Sequence, residues 1–136
     1  MSPDASERPG GGAASPRVLV IDDEAVIAHA VARLLRGHYE VVPVTSARAA
    51  LDLLAAGEHY DAVICDLTMP DLSGVDVHRH VAATRPELAG RIVFISGGTF
   101  SESAAEFFAS VPNPRLEKPF DRATLLRTLA GVLGSS

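Results

Sequence analysis

One cysteine, Cys65, is all the sequence offers for sulfur cross-linking, so no disulfide can form within the chain. No apolar run approaches the ~20 residues that a membrane-spanning helix needs. The N-terminus lacks the apolar stretch of a secretion signal. No Lys/Arg run occurs, and the net charge is −5, which argues against direct contact with nucleic acid. These absences point to a cytoplasmic protein without membrane insertion. What is present is globular in kind: 136 residues, 47% hydrophobic and 21% charged, enough for one domain with a real core.

Residues 2–16, SPDASERPGGGAASP, contain nothing that can pack a core. They read as a disordered arm or linker, residues 1–16, ahead of a domain over 17–134. Gly10, Gly11 and Gly12 lack the strand-turn-helix context of a phosphate-binding loop. From Arg17 onward, short apolar runs alternate with helical stripes. The runs are Val18–Ile21, Val41–Val44, Ala62–Cys65 and Ile92–Ile95, with a weaker one at Arg115–Glu117. They are apolar at both odd and even positions, as parallel strands covered on both faces must be. The stripes are Ile27, Val31, Leu34, Leu35; then Ala47, Ala50, Leu51, Leu54; then Ala104, Phe107, Phe108, Val111; then Leu125, Leu129, Val132, Leu133. Val77 and Val81 mark a further helix, opening at Ser73 and closing before Pro86. Phe107 and Phe108 are adjacent, about 100° apart around a helix, so they are expected to face the core in part, which leaves room for one to stay exposed.

Five such β-α units predict an α/β fold: a five-stranded parallel sheet with right-handed crossovers and helices on both faces. Pro43 would lose a ladder bond in a central strand, and Pro112 and Pro114 flank the weak fifth one. Both strands are therefore expected at edges, which fits the flavodoxin-like order 2-1-3-4-5.

Polar residues stand where the strands end. Asp22 and Asp23 follow the first, Asp66 the third, Ser96 the fourth and Lys118 the fifth. In an open α/β sheet this is the ligand-binding side, near the point where strand order reverses. Three clustered carboxylates raise one another's pKa, and a divalent cation relieves the conflict. Mg2+ suits hard oxygen donors and shares them with phosphate groups. Lys118 adds a positive charge for a phosphoryl oxygen, and Ser96 a hydrogen-bond donor. With no base placed to activate the serine, the best nucleophile is a carboxylate, Asp66, which can form an acyl phosphate. The histidines lack metal-ligand spacing and read as surface residues. Cys65, in a strand, reads as packing.

The segments VLVIDDE, DAVICDLTMPDLSG, IVFISGG and LEKPF together resemble the receiver domain of bacterial two-component response regulators. The spacing agrees: 43 residues from Asp23 to Asp66, 30 to Ser96 and 22 to Lys118. The resemblance implies that Asp66 is the phosphoacceptor, charged from a phosphohistidine. It implies that Asp23, Asp66 and the backbone carbonyl of Thr68 ligate Mg2+, with Asp22 acting through water. Ser96 and Lys118 would bind phosphoryl oxygens, and Lys118-Pro119 would be a cis peptide. Thr68 and Gly98 match positions that tune phosphoryl lifetime, and Gly97 with Gly98 predict a mobile loop. Ser96 would act as a switch together with an aromatic residue three positions before the lysine, where this chain has Arg115.

The implied partners are a histidine kinase or histidine phosphotransfer domain and a downstream protein target, with the domain a monomer or weak dimer. Such a domain assists its own phosphorylation without being an enzyme. After Lys118 only 18 residues remain, enough for one helix, so the domain is read as stand-alone or as part of a longer chain such as a hybrid kinase. An alternative is a phosphatase similar to the haloacid dehalogenase group. That chemistry needs a second aspartate two residues after Asp66, where Thr68 stands. A phosphorylation-independent binding module is the third class, and the intact acid-serine-lysine set argues against it.

Overall fold

Successive side chains of a strand point to opposite faces, and here both sets are apolar. Val18, Leu19, Val20 and Ile21 are all fully buried in β1 (Arg17–Ile21). The computed structural model describes residues 15–97 and 101–134. Within them β1 is joined by β2 (Glu40–Val44), β3 (Ala62–Asp66), β4 (Ile92–Ser96) and β5 (Arg115–Glu117). All pairings are parallel, and the order is β2-β1-β3-β4-β5. The predicted topology is the one observed. Pro43 sits opposite Val20 on the edge strand β2, where its missing N–H is tolerated.

The helices are α1 (Ala25–Leu35), α2 (Ala47–Ala55), α3 (Gly74–Thr84), α4 (Pro86–Ala89), α5 (Glu102–Ser110) and α6 (Arg122–Val132). They divide the core in two. On one face Val18, Val20, Ala62, Ile64, Val93 and Ile95 pack against Ala28, Val31 and Leu35 of α1 and Leu125 and Leu129 of α6. On the other, Leu19, Ile21, Val63, Cys65, Ile92 and Phe94 pack against α2, α3 and α5.

Three details differ from the sequence pattern. The stripe ending at Val111 breaks one residue earlier, because α5 stops at Ser110 and Val111 is extended. Pro86 ends α3 as expected but also opens the four-residue α4, at a position where its missing N–H is not needed. Phe107 and Phe108 are both half-buried rather than split between core and solvent. Phe94 explains this: its ring meets Phe107 at 5.6 Å and Phe108 at 5.3 Å, both edge-on.

Candidate functional site at the carboxyl ends of the strands

The register aligns the strand ends, Ile21 beside Cys65, Asp66 beside Ile95 and Ser96 beside Glu117. The residues at or just after these ends therefore share one rim. Asp22, Asp23 and Asp66 each bring a carboxylate oxygen within 4.8 Å of the other two. Asp22 is fully buried, Asp66 is 6% exposed, and Asp23 faces solvent. Lys118 follows β5 and is fixed by its N–H donating to the Ser96 carbonyl at 2.8 Å. Its Nζ lies 3.6 Å from Asp22 Oδ2 and 3.9 Å from Glu24 Oε1. The Lys118-Pro119 peptide bond is cis.

Burial dominates the electrostatics. It pushes the Asp66 carboxyl up to about 6, and the negative charge of Asp22 adds to the effect. The ammonium of Lys118 and the N–H of Thr68 pull the other way. Asp22 is also raised, again chiefly by burial, against the N–H of Glu24 donating to its Oδ1 at 2.9 Å. Among the described residues its Oδ2 is buried with no hydrogen-bond partner, facing the Lys118 ammonium at 3.6 Å. A buried carboxylate oxygen without a hydrogen bond is costly, and a water held by a hard cation here would satisfy it. The donor set of two buried carboxylates and one exposed carboxylate, all hard oxygens, fits Mg2+.

The loop between β3 and α3 closes tightly under Asp66. Gly74 N–H donates to Leu67 O at 2.8 Å. A Cβ at Gly74 would lie 3.0 Å from Leu67 Cα, 3.1 Å from Asp66 O and 3.2 Å from Phe94 Cδ1, so any side chain there would force these neighbours to shift. The next residues begin α3 with a capping box between Ser73 and Asp76. Thr68, exposed, has its N–H 3.4 Å from Asp66 Oδ1.

Ser96 ends β4 and is 2% exposed. Gly97 is exposed; Gly98, and with it the expectation of a mobile loop, lies outside the described residues, as does the arm over residues 1–14. Arg115 lies at the start of β5. It is exposed on the edge strand, with its guanidinium over the Phe108 ring at 5.0 Å. The burial of Cys65 pushes its thiol well above the ordinary range, which leaves it inert packing.

Two residues near the site escaped sequence reasoning. Glu24 was legible only as an acid at a helix start, yet it reaches Lys118. Asp71 contacts the start of α2, and the only hint was its place after Pro70 in a turn.

The family model for the response regulator receiver domain matches residues 18–130. The response regulator MprA of Mycolicibacterium vanbaalenii is 33% identical over 86% of this chain and 50% of its own length. The transcriptional regulatory protein KdpE of Mycobacterium tuberculosis is 35% identical, covering 85% of this chain and 50% of its own. This chain thus spans about half the length of these curated relatives. Among solved structures, the chemotaxis protein CheY4 of Vibrio cholerae superposes with a TM-score of 0.75 at 30% identity, over 88% of this chain and 99% of that one.

Proposed function

Because the chain belongs to the response regulator receiver domain family of two-component signalling, we propose that Asp66 accepts a phosphoryl group from phosphohistidine on a histidine kinase or a histidine phosphotransfer domain. The observation that carries this reading is the meeting of Asp22, Asp23 and Asp66 around a buried, unsatisfied oxygen, with the Lys118 ammonium alongside.

An Oδ of Asp66 attacks phosphorus in line with the P–N bond. The O–P bond forms as the P–N bond breaks, and the electron pair returns to the imidazole nitrogen. A carboxyl group near 6 is mostly ionised at neutral pH, so the nucleophile needs no separate base. Lys118 exchanges Asp22 and Glu24 for a phosphoryl oxygen, and the Ser96 hydroxyl donates to another. Asp23, Asp66 and the Thr68 carbonyl would hold Mg2+, with Asp22 acting on it through water. When bound, the ion neutralises charge on the phosphoryl oxygens. The same groups assist hydrolysis of the aspartyl phosphate.

The phosphorylated domain, residues 17–134, then presents an altered surface to a downstream protein, with residues 1–16 as its linker. Ser96 is its switch residue, and Arg115 holds the position of the aromatic partner. No described helix is long and apolar enough to cross a membrane. The domain is read as acting in the cytoplasm, as a monomer or weak dimer, and the lack of a Lys/Arg run favours a role without direct contact with nucleic acid.

Amide spectra with Mg2+ and beryllofluoride, which mimics a phosphoryl group, test the proposal. Shifts are expected at the ends of β1, β3, β4 and β5 in the wild type and not in Asp66→Asn. Equal shifts in both would remove Asp66 from the role.

A further inference from the structure

The loop that carries Thr68 is pinned unevenly. Its base is firm: Leu67 N–H donates to Ile95 O and Gly74 N–H to Leu67 O, each at 2.8 Å, and Leu67 and Met69 are buried. Its outer part, Pro70 and Asp71, is exposed. Among the described residues that outer part has polar ties to one other element, α2. Asp71 Oδ2 accepts from the N–H of Arg48 in the first turn of α2 at 3.2 Å, while its Oδ1 accepts from Leu72 N–H at 2.9 Å.

The contact is not needed to cap α2. Ser46 already does so, its hydroxyl accepting from Ala49 N–H at 3.0 Å. Asp71 therefore adds a bond across 23 residues of sequence to a helix end that has its own cap. The field there favours an anion. Burial slightly opposes it, but the N–H groups of Arg48, Leu72 and Ala47 hold the Asp71 carboxyl below the ordinary range.

We propose that Asp71 is a positioning residue that clamps the β3–α3 loop to α2 and so holds Thr68 in place beside Asp66. This rests on the reading of the site as a Mg2+-dependent phosphoacceptor. Asp71 touches neither metal nor phosphoryl group; it acts by restricting the loop between them and α2. Groups that orient metal ligands from outside typically change affinity by about 10–100-fold when removed, and an exposed clamp belongs at the lower end.

Three variants separate clamping from helix capping: Asp71→Ala, Asp71→Asn and Ser46→Ala. Hydrogen exchange of the Thr68 and Gly74 amides in chelator reads the loop without metal. A Mg2+ titration reads the site. Asp71→Ala is expected to speed exchange at both amides and to weaken Mg2+ about tenfold. Asp71→Asn, whose amide oxygen can still accept from Arg48, restores most of both. Ser46→Ala lowers stability yet leaves both readouts near wild type. Wild-type behaviour of Asp71→Ala would overturn the proposal, and so would equal losses in Ser46→Ala, which would reduce Asp71 to supporting α2. A wild type that binds no Mg2+ would instead overturn the underlying site reading. The metal-free exchange data distinguish that failure from failure of the clamp.

Discussion

Replacing Asp66 with asparagine is expected to make the metal-free protein more stable. Asp66 is 6% exposed, and its carboxyl stands at about 6 in the fold against an ordinary value of 3.8. The unfolded chain therefore ionises at lower pH than the native one. The resulting penalty is absent below the ordinary value, grows between the two values and is complete above the folded one. Roughly two pH units of separation correspond to about 3 kcal/mol at pH 7. Asparagine removes the charge while keeping the shape and an acceptor for the Thr68 N–H. Urea unfolding in chelator should place the Asp66→Asn midpoint about 1.5 M higher at pH 7, for a slope of about 2 kcal/mol/M. The gap should shrink as pH falls through 6 and close near pH 4. Mg2+ should narrow it at pH 7 by stabilising the wild type, by about 2.7 kcal/mol at 100 times the dissociation constant. A variant no more stable than wild type at pH 7, or a gap indifferent to pH, would refute the reasoning.

Other substitutions probe the frame around the site. Gly74→Ala forces a Cβ against the Leu67 backbone and the Phe94 ring, and should lower stability by about 1–3 kcal/mol in denaturant unfolding while weakening Mg2+ binding. Asn113→Ala leaves the carbonyls of Ala89 and Ile92 without the donor that meets them at 2.8 and 2.9 Å, and should cost about 1–3 kcal/mol by the same measurement. Arg115→Ala loses an exposed cation–aromatic contact with Phe108. It should shift stability by no more than about 1 kcal/mol and leave the Mg2+ affinity unchanged in a binding titration.

The strands were legible because parallel strands buried on both faces carry apolar residues at every position, as in Val18–Ile21 and Ala62–Cys65. Pro43 and the prolines around β5 then identified the edges. The meeting of the acids followed from topology, since Asp22, Asp23 and Asp66 all lie at the carboxyl ends of neighbouring strands. What escaped was short or depended on distant partners. The four residues of α4 are too few to show a helical period. Asn113 stands between Pro112 and Pro114, yet it is buried because two carbonyls more than 20 residues away receive its amide. The pairing of Phe107 and Phe108 on Phe94 needed the sheet beneath them. Asp71 sits in a polar loop, and only the fold brings the start of α2 to it.

The central claim is that Asp66 carries the phosphoryl group. Intact-mass measurement and peptide mapping after incubation with acetyl phosphate and Mg2+ test it most directly. One added phosphoryl group is expected on the wild type, located at Asp66, lost when chelator is added before the reaction, and absent from Asp66→Asn. Undiminished labelling of Asp66→Asn, or a phosphoryl group mapped to another residue of the wild type, would contradict it.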